Sequence, residues 1–114
     1  MSLADRNRLR HMLDAALEAQ TFMKDVTFDS LVNDRKTIQA VTRSIEIIGE
    51  AATKMSQEYK KSHPEIPWKE IVSMRNWLIH AYFDIDYEHI WNTAHKDLPV
   101  LIPQLQKLLR EFEE

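Results

Sequence analysis

The run Arg75-Asn76-Trp77-Leu78-Ile79-His80-Ala81-Tyr82 puts a permanent cation, an amide, a base that titrates near neutrality and a phenol within about two helical turns. A guanidinium presents its donors as a rigid planar fork that matches phosphate oxygens, and an imidazole takes or gives a proton near pH 7. Together they suit chemistry on a phosphodiester. On a regular helix the five-residue step from Arg75 to His80 is roughly 140° around the axis and about 7.5 Å along it, so the two side chains do not share a face. Asn76 and His80, four apart, do share one, and Arg75 and Tyr82 nearly do. Convergence on one phosphate therefore requires a helix end that unwinds near His80, or a second copy of the chain that supplies the partner residues across a two-fold axis. The spacing favours a dimeric site.

By residue type and spacing alone, the ordinary account of these positions outweighs the catalytic one. An arginine on an amphipathic helix is most often solvated or salt-bridged, a histidine in a last turn suits the helix dipole, and Trp77, Tyr82 and Phe83 suit a core. Glu46 and Glu50 form a polar stripe next to an apolar seam, which places them as further candidates for a cleft. His11, His63, His89 and His95 lack the helical spacing with carboxylates that a metal site such as H-E-x-x-H requires, so no metal or other cofactor is expected. Arg6-Arg8-Arg10, Arg35-Lys36 and Lys60-Lys61 are candidate guides for a polyanion, with solvated helix surface as the commoner use of such clusters.

Composition narrows the class of protein. The 114 residues fit one domain, taken here as 1–114, and are enough to bury a core without staples. No cysteine is present, which removes disulfides, thiolate metal sites and a cysteine nucleophile together. A formal charge of -3 argues against broad electrostatic binding to a polyanion, so any contact with nucleic acid must be local. The N-terminal residues become charged at once and no segment has the length of apolar sequence that a membrane span needs, so no membrane association and a cytoplasmic location are expected.

One glycine, four prolines and no sustained alternation of apolar and polar residues point to an all-α chain. The first helix is expected from about Ala4 to Lys24, with Leu9, Leu13, Ala16 and Leu17 on its apolar face. Asp29 or Ser30 can cap a short extra turn. A second long helix is expected from Asp34 to about Lys61, where Ile38, Val41, Ile45, Ile48, Ala52 and Met55 repeat at steps of three and four. Gly49, beside this seam, costs about 1 kcal/mol of helix propensity relative to alanine, which suggests close approach of a neighbouring helix. His63-Pro64 and Ile66-Pro67 stop the chain, and Pro67 suits the first turn of a third helix that carries the motif toward its C-terminal end. Asp84 or Asp86 can cap the last, where Tyr87, Trp91, Ala94, Leu98, Leu101, Leu105, Leu108 and Phe112 keep phase across Pro99 and Pro103. That continuity reads as one kinked helix, with two helices meeting near Asp97 as the alternative. The expected architecture is an up-down antiparallel bundle of about four main helices with a short extra helix.

Taken in order, Ile45-Glu46-Ile47-Ile48-Gly49-Glu50-Ala51-Ala52, His63-Pro64-Glu65-Ile66-Pro67-Trp68, Met74-Arg75-Asn76, Leu78-Ile79-His80-Ala81-Tyr82-Phe83 and Asp97-Leu98-Pro99 resemble the HepT-like branch of the HEPN superfamily over nearly the whole chain. The pattern of arginine, four residues, histidine, one residue, tyrosine is specific to that group. The resemblance implies a homodimeric toxin of a prokaryotic type VII toxin-antitoxin pair that acts as a metal-independent endoribonuclease. It also implies a cognate minimal nucleotidyltransferase as antitoxin, which adenylylates the motif tyrosine. By position the catalytic pair falls on Arg75 and His80, the supporting polar residue on Asn76 and the modified tyrosine on Tyr82. Position 81, often glycine in such sequences, is alanine here.

RNA contains its own nucleophile, the 2'-hydroxyl, so an Arg/His site is expected to cleave it by internal attack and to leave a 2',3'-cyclic phosphate. One histidine per chain does not easily serve both proton transfers, which again suits two chains around one substrate. Two other readings stand beside this one: a non-catalytic dimeric module that binds nucleotides or partners, and a structural bundle whose motif only sets an interface.

Overall fold

Side-chain caps set where the helices begin, and one of them, Ser56, also ties two helices together. The computed structural model describes residues 2–79 and 84–113. The first helix, α1 (Leu3–Phe22), starts at Ser2, whose hydroxyl accepts from the Asp5 N–H. Thr27 caps the short α2 (Phe28–Leu31) through a reciprocal pair of hydrogen bonds with Ser30. Asp34 accepts from the Thr37 N–H at the start of α3 (Arg35–Lys54), and Ser56 from the Tyr59 N–H at the start of α4 (Gln57–Ser62). Then follow α5 (Trp68–Ile79), α6 (Tyr87–Asn92) capped by Asp86, a π-helical turn (Thr93–Asp97), and α7 (Leu98–Glu113). Among the described residues there is no strand, and no helix is long and apolar enough to cross a membrane.

Three of these boundaries differ from the sequence expectation. Thr27, not Asp29 or Ser30, caps α2, because its hydroxyl and that of Ser30 satisfy each other's backbone N–H groups. Pro67 lies just outside α5 and gives its carbonyl to the Ile71 N–H. The expected helix from Asp34 to Lys61 breaks at Met55, whose ψ of 142° is extended. The break has a tertiary cause: the Ser56 N–H and hydroxyl donate to the two carboxylate oxygens of Asp5, at 3.0 and 2.7 Å. A continuing helix would take that N–H for its own ladder. At the other end of the chain, α6, the π turn and α7 run on without interruption, as the unbroken spacing implies. Widening to a π turn ahead of Pro99 relieves the missing N–H and the clash of the proline ring with the preceding turn.

The helices pack as an up-down antiparallel bundle with α3 at its centre. Contact between Asp5 near the start of α1 and Ser56 just past α3 sets those two antiparallel. Phe112 near the end of α7 stacks on Tyr59, 5.7 Å between ring centroids, at the same end of the molecule as Asp5. The larger apolar cluster joins α1, the C-terminal half of α3, α7 and the α4–α5 connection, with Leu9, Met12, Ile48, Ala52, Ile66 and Leu105 nearly inaccessible. A smaller cluster gathers Leu31, Ile38, Val41, Ile45, Leu78 and Ile90, with Trp77, Ile85 and Trp91 packed against it. All six residues of the α3 seam are buried. On α1, Leu17 is 39% exposed and the stripe runs through Met12, Ala15 and Ala19 instead, because α3 and α7 cover the side of α1 that includes Ala15 and Ala19.

Asp5 is buried, and burial by itself raises the pKa of a carboxyl. The Ser56 backbone N–H, the Ser56 hydroxyl, Ser2 and the nearby Arg8 outweigh it, and hold Asp5 below the ordinary value of 3.8. A carboxylate depressed in the folded state contributes stability above its unfolded pKa and loses it as pH falls through the folded value. Asp5→Ala, which strands the Ser56 donors, is expected to cost about 2 kcal/mol at neutral pH. In urea melts the gap between parent and variant should hold steady above about pH 5 and narrow below about pH 4.

Candidate functional site

The motif arginine is positioned by the chain's one glycine. A Cβ built on Gly49 would lie 2.1 Å from the Arg75 Cβ and 2.7 Å from its Cγ, distances no real pair of carbons tolerates. Gly49 therefore lets α3 and α5 cross closely, and it is buried. The sequence pointed to such an approach, while its partner could not be read from helical periodicity. With its stem pressed against the backbone of α3, Arg75 is half-buried. Its Nε is buried with no hydrogen-bond partner among the described residues, and its Nη1 donates to Asn76 Oδ1 at 3.2 Å. A fork restrained at stem and tip retains fewer rotamers, so less entropy is lost when it meets an anion.

One turn toward the start of α3 a groove of about 310 Å³ opens between α3, the end of α5 and the start of α6. Ile38, Trp77, Leu78, Ile85 and Ile90 make its apolar surface, while Arg35, Gln39, Thr42, Arg43, Glu46 and Asp86 supply polar groups. Trp77 and Leu78 belong to the motif, so the groove adjoins the arginine. Trp77 is partly buried and stacks on His89, 4.7 Å between centroids. The Arg43 Nη1 bridges Glu46 at 3.3 Å and Glu50 at 3.4 Å. Both carboxylates thus lie on an ion-paired stripe of α3; Glu46 also lines the groove, and Glu50 does not. Because Arg43 is largely exposed, this stripe contributes little to stability.

Two of the candidate residues, His80 and Tyr82, lie outside the described residues. Of the others, the structure pairs Arg75 with Asn76 and places Glu46 in the adjoining groove, beside groups that residue type and spacing did not single out. Gln39, Thr42 and Asp86 have no motif, and only their place on the groove distinguishes them. Two further cavities lie elsewhere, one between α5 and α7 and one around Asp5, Ser56, Tyr59 and His63. In the latter, burial first and then Glu111, Asp5 and Glu65 push the Tyr59 phenol up to about 12, so it remains protonated. Among the described residues no group of three or more histidines and carboxylates is placed to hold a metal ion.

Comparison with known proteins decides the family. The model described as "Ribonuclease HepT-like" matches residues 12–108. This chain belongs to the HepT-like ribonuclease family. A relative named "Probable ribonuclease HepT", from Thermococcus cleftensis, is 38% identical over 108 residues, 95% of this chain and 98% of its own. A "Putative RNase" from Caldanaerobacter subterraneus subsp. tengcongensis is also 38% identical, over 106 residues that cover 93% of this chain and 95% of its own. No solved structure matches. The HepT-like match includes all of α3 and α5, so both the Gly49–Arg75 crossing and the groove lie within it.

Replacing a helical glycine by alanine ordinarily stabilises by about 1 kcal/mol. At this crossing of a HepT-like fold the sign is expected to reverse: Gly49→Ala forces α3 and α5 apart and costs about 1 to 3 kcal/mol in urea unfolding.

Proposed function

We propose that this protein is an endoribonuclease, the toxin of a type VII toxin-antitoxin pair, with Arg75 and His80 as its catalytic residues. The observation that supports the reading best is the restraint on Arg75: its stem lies against Gly49 and its Nη1 is held by Asn76, one turn from the end of α5. Membership of the HepT-like family and the ribonuclease names of its relatives support the same chemistry. His80 follows directly on Ile79, the last residue of α5.

In the reaction the imidazole of His80 takes the proton from a ribose 2'-hydroxyl, and O2' attacks the adjacent phosphorus. The bond from phosphorus to the 5'-oxygen breaks, and that oxygen leaves with a proton from a second imidazole that starts the step as imidazolium. His80 of a second copy supplies it, which makes the working unit a homodimer. Arg75 stabilises the extra negative charge on the non-bridging oxygens at the transition state, and Asn76 keeps the guanidinium aimed. The product ends are a 2',3'-cyclic phosphate and a 5'-hydroxyl. No metal takes part, since substrate and side chains supply nucleophile, proton carriers and countercharge.

Tyr82 stands two residues beyond His80. Attachment of a nucleotide to its phenol by a cognate nucleotidyltransferase adds negative charge and bulk where RNA must lie, and so silences the toxin without unfolding it.

Arg75→Ala and His80→Ala are each expected to slow cleavage of single-stranded RNA by at least about a hundredfold, with the fold retained by circular dichroism. Undiminished cleavage in both variants, or fragments that end in a 3'-hydroxyl, would overturn the mechanism. Tyr82→Phe should stay active and take up no label from ATP in the presence of the transferase.

A further inference from the structure

The groove beside Arg75 holds more hydrogen-bonding capacity than the fold uses. Serine and threonine hydroxyls inside helices commonly bond back to the carbonyl four residues earlier, and Thr21, Ser44, Thr53 and Ser62 all do so here. Thr42 does not. Neither its hydroxyl nor the Gln39 amide has an intramolecular partner among the described residues, and both line the groove. Arg35, four residues before Gln39 and on the same wall, is exposed and also without a partner there. Spacings of four and three place the three side chains along one face of α3.

The surface between them is apolar and aromatic: Trp77 and Leu78 from α5 face the α3 wall across a volume of about 310 Å³. That volume is at the lower end for small-molecule pockets, near the size of a single nucleotide. Asp86 closes the far side; one of its carboxylate oxygens accepts from the His89 N–H, which leaves the other available. On the α3 side Glu46 adds a second carboxylate.

We propose that this groove is a nucleobase subsite: one unpaired base of the RNA lies against Trp77, its edge is read by Gln39 and Thr42, and Arg35 holds its phosphate. Bases of single-stranded RNA expose their edges for this kind of contact, and an amide presents a donor and an acceptor side by side, the complement of adenine. The Asp86 carboxylate in the far wall accepts from an exocyclic amino group and repels a ring carbonyl, while Glu46 is already paired with Arg43, so the subsite prefers adenine to uracil. The inference deepens the ribonuclease reading and rests on it for the identity of the substrate.

The test uses the full-length Arg75→Ala protein, titrated with 5'-AMP, 5'-UMP and ribose 5-phosphate by tryptophan fluorescence and calorimetry. The expected order is 5'-AMP tightest, with 5'-UMP and ribose 5-phosphate weaker by about tenfold, the loss that follows from one or two hydrogen bonds. Adding Gln39→Leu with Thr42→Val should level the three ligands, and in the otherwise native chain should erase a preference for cutting beside adenine over uracil. Equal binding of all three by the unaltered groove, or an adenine preference unchanged by the double substitution, overturns the subsite. If the unaltered groove fails either way while the otherwise native chain still cuts RNA and Arg75→Ala does not, the ribonuclease reading stands alone. Selective 5'-AMP binding that the double substitution removes, in a chain that cuts no RNA, supports the subsite and defeats the ribonuclease reading.

Discussion

The contact between the backbone of Gly49 and the stem of Arg75 is the constraint on which the rest of the site depends. A side chain at position 49 would have to occupy space already held by the arginine's Cβ and Cγ. Because α3 has none there, α5 comes close enough for the motif arginine to be half-buried, with its charged tip still reaching Asn76. Burial of an arginine stem without burial of its charge is the usual compromise for such a side chain, and here it fixes direction. The propensity lost by placing glycine inside α3 is therefore exchanged for a close crossing of two helices.

That crossing divides the molecule into two ends with different character. Around Asp5, Ser56 and Tyr59 the helices are tied by hydrogen bonds between distant parts of the chain and by aromatic stacking, over the larger apolar cluster. Toward the end of α5 the cluster is smaller, and the space between α3 and α6 is left as a groove. A cavity also opens at the first end, around Asp5, Ser56, Tyr59 and His63, but only the groove adjoins the motif arginine. The acidic balance of the chain fits this division as well. Arg35 and Arg43 line the groove of a chain whose formal net charge is -3.

Much of the fold was legible because helical periodicity reports burial directly. The α3 seam from Ile38 to Met55 reappears as a buried stripe, the phase kept from Tyr87 to Phe112 is buried from Ala94 to Leu108 and half-buried at its ends, and of the two prolines across which the spacing held, Pro99 follows the π turn and Pro103 lies within α7. The errors share one origin. Leu17 has the same apolarity as Leu13, yet neighbouring helices cover only one of them; Met55 and Ser56 continue the α3 pattern, yet Asp5, fifty-one residues before Ser56, draws its N–H out of the ladder. Periodicity describes one element at a time, and these outcomes belong to pairs of elements.

By itself the sequence determined the helical class, the order and approximate limits of the elements, the family, and the arginine, amide, histidine and tyrosine that could do chemistry, because each is a property of local spacing or residue type. Only the tertiary structure decided that Gly49 meets Arg75, that Glu46 and Glu50 share Arg43, and that Gln39, Thr42 and Asp86 surround one groove with Trp77. Residues from α3, α5 and α6 become neighbours only through the angle and depth at which those helices pack, and packing is set by the shape of every side chain in the interface at once.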